Sequence, residues 1–207
     1  MKDFLRLSAI VGVLMAATTR SQGALHYSDF QNIVIPANID GIYVNPVTGN
    51  ASIVAPSDLE TAPWLNLFFG GAGIGSNPYL APVITAPASG NGDGLVLKLL
   101  TLHEIGPALN YAVGYNGSEN HIGGSPYQFE VGVAGYLGFA MRTAANGPLN
   151  YGWMRITVTD SGSGMLHNLA YQEAPGVPIL TGSVPEPGTP VLVLLTTAAL
   201  MFSRRRR

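Results

Sequence analysis

The fold class follows from an alternating run in the second half of the chain, Gly135-Tyr136-Leu137-Gly138-Phe139-Ala140-Met141-Arg142. Successive side chains of a β-strand point to opposite faces, so Leu137, Phe139 and Met141 share one face of the predicted strand. A turn at residues 145–150 leads to a second alternating run, in which Met154, Ile156 and Val158 share a face. A third run at residues 165–172 follows a turn at residues 160–164. These runs predict an antiparallel meander with one face toward the core and the other toward solvent or a second layer.

Shorter β-prone runs precede the meander, at residues 41–44, 51–54, 64–69, 82–85 and 95–100. Clusters of Gly, Pro, Asn or Ser bound each run, which is typical of strands joined by tight turns. A helix within residues 93–112 would be broken by Gly106-Pro107, so a strand is the better prediction there. We predict one all-β domain over residues 24–173, an antiparallel β-sandwich or jelly-roll-like fold.

The N-terminus has the layout of a secretory signal peptide. Lys2 and Arg6 flank a short apolar run at residues 7–17, and small and polar residues follow as far as Ala24. Eleven apolar residues are too few for a stable spanning helix, so we expect cleavage after Gly23 or Ala24. Residues 1–23 are therefore predicted to be a signal peptide that directs export through the Sec translocon.

The C-terminus combines three features in a fixed order: Val184-Pro185-Glu186-Pro187, an almost uncharged apolar run at residues 188–203, and the cluster Arg204, Arg205, Arg206 and Arg207. As a helix, the apolar run would span about 24 Å, against about 30 Å for the hydrocarbon core of a bilayer. Snorkelling arginines and local thinning can cover that difference, so we predict a single transmembrane helix. The arginine cluster resists translocation, which leaves it in the cytoplasm and the body of the chain outside.

This C-terminal order resembles the PEP-CTERM sorting signal of exported bacterial proteins, over residues 184–207. The resemblance implies that the inner membrane holds the protein through its C-terminal helix, and that the membrane protease-transpeptidase exosortase then processes it near Val184 to Pro187. The meander also resembles the C-terminal half of many proteins that carry this signal, through motifs such as Tyr151-Gly152-Trp153 and Pro175-Gly176. That second resemblance implies a β-rich body and brings no catalytic residue. Residues 174–183 are predicted to be a proline-rich linker.

The body between the two predicted signals is acidic. Residues 24–186 contain Lys98, Arg142 and Arg155 against eleven carboxylates, a net charge of −8. Phosphate backbones repel such a body, so nucleic acid is excluded as a partner. The chain has no cysteine, which excludes disulfides, thiolate metal sites and a cysteine nucleophile.

Motifs that would indicate catalysis are incomplete. His103-Glu104 begins like a zinc-protease helix, but Pro107 stands where the second histidine ligand is needed. The turn at residues 161–164 lacks the glycine that precedes the serine of a nucleophile elbow. The glycine-rich run at residues 70–75 lacks the spacing of a dinucleotide-binding loop. The sequence therefore nominates no catalytic residue, no metal ligand and no cofactor.

Each of two loops has two interpretations, a binding site or an ordinary turn. Asn91 and Asp93 fit part of a calcium loop, but Leu100 replaces its closing acid, and a β-turn is the alternative. The polar residues 119–121 have Tyr115 and Tyr127 as aromatic neighbours and could bind a glycan. An ordinary solvated hairpin loop explains them as well.

Four aromatic residues in the meander and the segment around it are candidate glycan-binding residues: Tyr136, Tyr151, Trp153 and Tyr171. If one sheet face displays them side by side, they form a sugar-stacking platform. The alternative is that they pack against a second sheet. Exposure of these side chains distinguishes the two interpretations.

The sequence as a whole predicts a non-enzymatic protein that is exported, held briefly in the inner membrane, and delivered to the cell surface or the extracellular space. The resemblance adds an association with extracellular polysaccharide in a biofilm matrix. One alternative is an extracellular carbohydrate-binding module. Another is a secreted glycan hydrolase, which would need two carboxyl groups about 5 to 9.5 Å apart. The sequence nominates no such pair.

Overall fold

The computed structural model describes residues 24–69, 73–85, 95–112, 116–117, 128–160 and 163–185. Every regular element in these ranges is a β-strand. In chain order they are β1 (Leu25–Ile35), β2 (Ile42–Asn45), β3 (Asn50–Ser52), β4 (Leu65–Phe69), β5 (Gly73–Ser76), β6 (Leu80–Pro82), β7 (Lys98–Leu99), β8 (Glu104–Ile105), β9 (Asn116–Gly117), β10 (Ala134–Met141), β11 (Asn150–Asp160), β12 (Ser163–Gln172) and β13 (Ile179–Leu180). The strands pair antiparallel, so the predicted all-β antiparallel class is confirmed. The predicted signal peptide and transmembrane helix lie outside the described residues.

The strands form three sheets. A six-stranded sheet has the order β1-β12-β11-β10-β6, and β7 also pairs with β10. A five-stranded sheet has the order β3-β2-β4-β5-β9, and β8 pairs with β13 in a two-stranded ribbon. The predicted meander forms the centre of the six-stranded sheet, with Leu137 opposite Met154 and Met154 opposite Leu169.

The main core lies between the six-stranded and five-stranded sheets. The faces predicted for β10 and β11 are the ones that are buried there, because Leu137, Phe139 and Met141 join Met154, Ile156 and Val158 in one buried cluster. The five-stranded sheet contributes mostly aliphatic side chains to the same cluster: Ile42, Val44, Leu65, Leu67 and Ile74. Two antiparallel sheets thus bury their facing apolar sides against each other.

The opposite face of the six-stranded sheet is also covered. We call this second buried cluster the outer cluster: Val83, Leu99, Ile105, Ala140, Tyr151, Trp153, Ala170 and Ile179. Ile105 and Ile179 come from the β8–β13 ribbon, and Ala140, Trp153 and Ala170 come from the sheet. The six-stranded sheet is therefore the middle of three layers, and the five-stranded sheet and the ribbon lie on its opposite sides.

Gly152 allows the central strands to pack closely. It lies directly opposite Phe139 in the β10–β11 pair. A Cβ atom on Gly152 would come 2.4 Å from Phe139 Cζ and 2.7 Å from the carbonyl oxygen of Ala170. The Phe139 ring therefore occupies the space that a side chain at residue 152 would fill, and any larger residue would displace it.

Residues 174–183, predicted to be a linker, are instead held against the domain over much of their length. The amide of Gly176 donates to the carbonyl of Leu149, and Ile179 is buried in the outer cluster. Thr181 is fully buried, and its hydroxyl donates to the carbonyl of Leu100 and accepts from the amide of His103. This proline- and glycine-containing segment is therefore docked on the domain, where it helps to cover the outer face of the six-stranded sheet.

Removal of the Thr181 hydroxyl tests this docking. Thr181→Val keeps the side-chain volume but removes the partner of the His103 amide and of the Leu100 carbonyl, so we expect the free energy of unfolding to fall by about 1–3 kcal/mol. Ser183→Ala is the control, because the exposed Ser183 hydroxyl donates to the Leu180 carbonyl at the surface, and its loss should cost under about 0.5 kcal/mol. Urea denaturation measures both. Equal, negligible effects would show that the segment is a free linker.

Candidate functional site

Two of the four candidate glycan-binding aromatics are buried in the outer cluster. Trp153 is only 1% exposed, and Tyr151 is also buried. Tyr136 is half-buried and meets Trp153 edge to face, with ring centroids 5.3 Å apart and planes at 89°. Tyr27 of β1 contacts the indole of Trp153 from another side, at 6.4 Å between centroids. Trp153 and Tyr151 are therefore enclosed by protein and offer no open platform.

Tyr171 lies on the other face of the same sheet. It is paired with Gly152, whereas Trp153 is paired with Ala170. Its ring stacks on His26 of β1 at 4.7 Å between centroids, and it belongs to the main core cluster. The structure thus does not bring Tyr136, Tyr151, Trp153 and Tyr171 together on one exposed face. Packing within the fold accounts for their positions better than a sugar-stacking platform does.

A small pocket opens beside the buried aromatics and was not indicated by the sequence. It has Ala81 and Ala140 among its lining residues, with Tyr79, Tyr111 and Arg142 as its polar side chains. The Tyr111 hydroxyl donates to the Gly106 carbonyl at 2.8 Å, which fixes that ring. Burial is the main cause that raises the pKa of Tyr111, and the nearby Tyr151 raises it further, so the Tyr111 hydroxyl stays protonated.

Arg142 gives this pocket a positive charge. Its amide donates to the carbonyl of Tyr79 at 2.8 Å, which holds the two residues side by side. Within the described ranges the ion pair present is that of Lys98 Nζ with Glu130 Oε1 at 3.1 Å, and Arg142 has no carboxylate at that distance. A guanidinium beside two tyrosine hydroxyls can bind a small anionic group, and the cavity of about 40 Å³ has room for one carboxylate.

His167 is the centre of a second polar cluster. It lies at a bulge of β12, where the pairing with β1 and the pairing with β11 both shift between Leu166 and Asn168. Its Nε2 lies 2.7 Å from Thr157 Oγ1, and its Nδ1 is within hydrogen-bonding distance of Asn32 Oδ1. Asn32 has a positive φ of 65° at an irregularity in β1. A neutral imidazole suits both contacts, since Nδ1–H donates to Asn32 and Nε2 accepts from Thr157. Burial is the main cause that lowers the pKa of His167, and the positive charge of Arg155 lowers it further.

The lowered pKa of His167 predicts a pH dependence of stability. Since the folded-state pKa lies below the unfolded-state pKa of about 6.5, the unfolded chain takes up this proton first as the pH falls. The contribution of His167 to stability should be complete above about pH 6.5 and should be lost as the pH falls from there through the folded-state pKa. Denaturation midpoints measured from pH 7.5 to about pH 5.5 should fall less steeply for His167→Gln than for the natural chain. Parallel curves would contradict this role.

The remaining chemical candidates are not assembled into a site. His103 and Glu104 are exposed at the start of the ribbon, and Thr181 and Leu180 are their neighbours there. Within the described part of the chain, no group of three or more His, Cys, Asp or Glu side chains could hold a metal ion. The turn around Asp93, for which a calcium loop was one alternative, and the polar loop at residues 119–121 lie outside the described residues.

The predicted sorting motif is described in its first half. Val184 and Pro185 are exposed directly after the docked segment that ends near Ser183. Glu186, Pro187 and the cluster Arg204 to Arg207 lie outside the described residues. None of the described ranges contains a helix long and apolar enough to cross a bilayer.

Comparison with known proteins identifies no relative. No family model, no curated protein and no solved structure matches the chain.

Proposed function

We propose that the chain is an exported protein of the cell surface or extracellular matrix, in which a β-sandwich or jelly-roll-like domain carries a non-enzymatic structural or interaction role. A signal peptide at residues 1–23 directs it to the Sec translocon. A transmembrane helix within residues 184–207 then holds it in the inner membrane for exosortase. The observation that carries the proposal is the order at the C-terminus: Val184-Pro185-Glu186-Pro187, an apolar run, and four arginines.

The domain geometry supports this proposal at both ends. The first strand begins at Leu25, directly after the predicted signal peptide, and the last ends at Leu180, shortly before the predicted sorting motif. A processing enzyme needs an extended, accessible backbone, and the exposed Val184 and Pro185 provide one at the start of the motif. Because the chain lacks cysteine, the domain relies on its two buried clusters for stability outside the cell.

Processing can be tested by expressing the chain in cells with and without exosortase. We expect a mature form that lacks residues 1–23 and ends near Val184 to Pro187, appearing outside the cell only when exosortase is present. Glu186→Gln should slow this processing because it alters the motif, whereas Glu173→Gln changes an exposed carboxylate outside it and should not. Intact mass and cell fractionation measure both. A cytosolic protein that keeps residues 1 and 207 would overturn the proposal.

A second candidate function, carbohydrate binding, is favoured by the pocket of Tyr79, Tyr111 and Arg142. Its cavity of about 40 Å³ has room for the carboxylate of one sugar acid beside Arg142, whereas the sugar ring would lie outside it. A single sugar acid suits the pocket better than an acidic polysaccharide, because the body has a net charge of −8. The pocket lining contains no carboxyl group, so it offers no acid pair for the hydrolase alternative.

Affinity chromatography on a resin that carries sparse, single glucuronic acid groups tests this second function. Arg142→Gln should reduce retention by at least about tenfold, since one charge-assisted hydrogen bond is worth about 1.5–3 kcal/mol. Arg155→Gln is the matched control, because Arg155 lies next to His167 and away from the pocket lining. Equal retention of both variants and the natural chain would exclude the pocket as a sugar-acid site.

A further inference from the structure

Four large apolar side chains are exposed close to the point where the chain leaves the domain. Leu100 and Leu102 are 70% and 71% exposed, Leu180 is 42% exposed and Val184 is 55% exposed. We call these four residues the exit patch. An exposed leucine alone needs no explanation, but several around one point indicate an interaction surface.

Hydrogen bonds around Thr181 bring the exit patch together. The Thr181 hydroxyl donates to the carbonyl of Leu100, and the amide of Leu102 donates to the carbonyl of Thr181 at 3.1 Å. Leu180 precedes Thr181, and the amide of Ser183 donates to the carbonyl of Leu180 at 3.1 Å, which keeps the start of the sorting motif beside the ribbon. These bonds place the backbone of the exit patch around Thr181, beside the ribbon and at the exit of the chain.

Leu102 combines a backbone conformation that leucine disfavours with an exposed side chain. Leu102 has a φ of 61°, in the left-handed region that Gly and Asn tolerate and that leucine disfavours. Its side chain is also mostly in solvent, so it gains little from burial. A strained residue with no packing contribution points to a role outside the fold.

Chain length limits what the exit patch can face. The apolar run begins at Gly188, three residues after Pro185, and three residues span at most about 11 Å. This step rests on the proposed function, in which residues 188–203 enter the bilayer. The tether would then hold Pro185 within that short reach of the lipid headgroups, and Thr181, which is hydrogen-bonded to Leu100 and Leu102, lies only four residues before Pro185.

We propose that the exit patch seats the domain on the bilayer surface while the C-terminal helix is in the membrane, with the leucines in the headgroup region. Leu180 has Glu104 as its cross-strand neighbour, and His103 adjoins it. A carboxylate at this position favours zwitterionic lipid over anionic lipid. A second copy of the chain fits the patch less well, because it would bring a second Glu104 and another acidic body of net charge −8 against the first. Seating would orient Val184 and Pro185 at the membrane surface, where a membrane-embedded protease acts.

Site-specific fluorescence can test the seating, and the absence of cysteine makes single-cysteine labelling direct. The full chain is reconstituted in phosphatidylcholine vesicles with an environment-sensitive dye at Leu100→Cys or, as the control, at Val54→Cys. The two positions match in exposure, at 70% and 69%, but Val54 follows β3 of the five-stranded sheet, on the other side of the six-stranded sheet. Vesicle flotation reports membrane attachment separately from dye contact.

The seating predicts that a spin-labelled lipid quenches the dye at residue 100 by at least about twofold more than the dye at residue 54, because an interfacial apolar face lies about 5–10 Å into the headgroup boundary. Leu102→Asn, which suits the positive φ, should leave flotation unchanged and reduce that quenching. Flotation with equal quenching at both sites would overturn the seating alone. A blue shift at residue 100 without lipid quenching would assign the patch to a second copy instead. Failure to float would overturn the membrane step of the proposed function, and the seating with it.

Discussion

The six-stranded sheet is apolar on both faces, and the rest of the structure follows from the need to cover each of them. Phe139 and Met154 face the five-stranded sheet, while Ala140 and Trp153, their chain neighbours, face the opposite side. An uncovered tryptophan would leave about 150–250 Å² in water, which amounts to about 4–6 kcal/mol of lost transfer free energy. One packed partner is therefore not enough for this sheet.

The second cover is assembled from segments far apart in the chain. Ile105 comes from β8 and Ile179 from β13, and the buried Thr181 links this ribbon to the backbone around Leu100 and His103. Because the last strand of the domain is part of this cover, the chain leaves from the ribbon layer. The exit patch is therefore located there. The pocket also contains Tyr111, together with Tyr79 and Arg142, which adjoin β6 and β10 of the six-stranded sheet.

Tyr171 shows why the arrangement of the aromatics could not be obtained from alternation alone. Val158 pairs with Gly164 and Ile156 with Leu166, and that register would place Tyr171 opposite Tyr151. The irregularity between Arg155 and Ile156 shifts the pairing by one residue, so Tyr171 lies opposite Gly152. A shift of one residue moves a side chain to the other face of the sheet.

The sequence did not predict β1 as a strand, since residues such as His26, Ser28 and Asp29 interrupt its apolar pattern.

By itself, the sequence determined the all-β antiparallel class, the strands of the meander and the faces of Leu137, Phe139, Met141, Met154, Ile156 and Val158. Strand periodicity is local, and the extra residue of the irregularity, His167, lies in β12, so β10 and β11 keep, as far as Val158, an uninterrupted alternation that neighbouring residues define. Only the tertiary structure decided that Trp153 and Tyr151 are buried, that residues 174–183 dock, and that Arg142 lines a pocket with Tyr79 and Tyr111. Those features depend on bulges and on contacts between segments distant in the chain, for which the sequence has no local pattern.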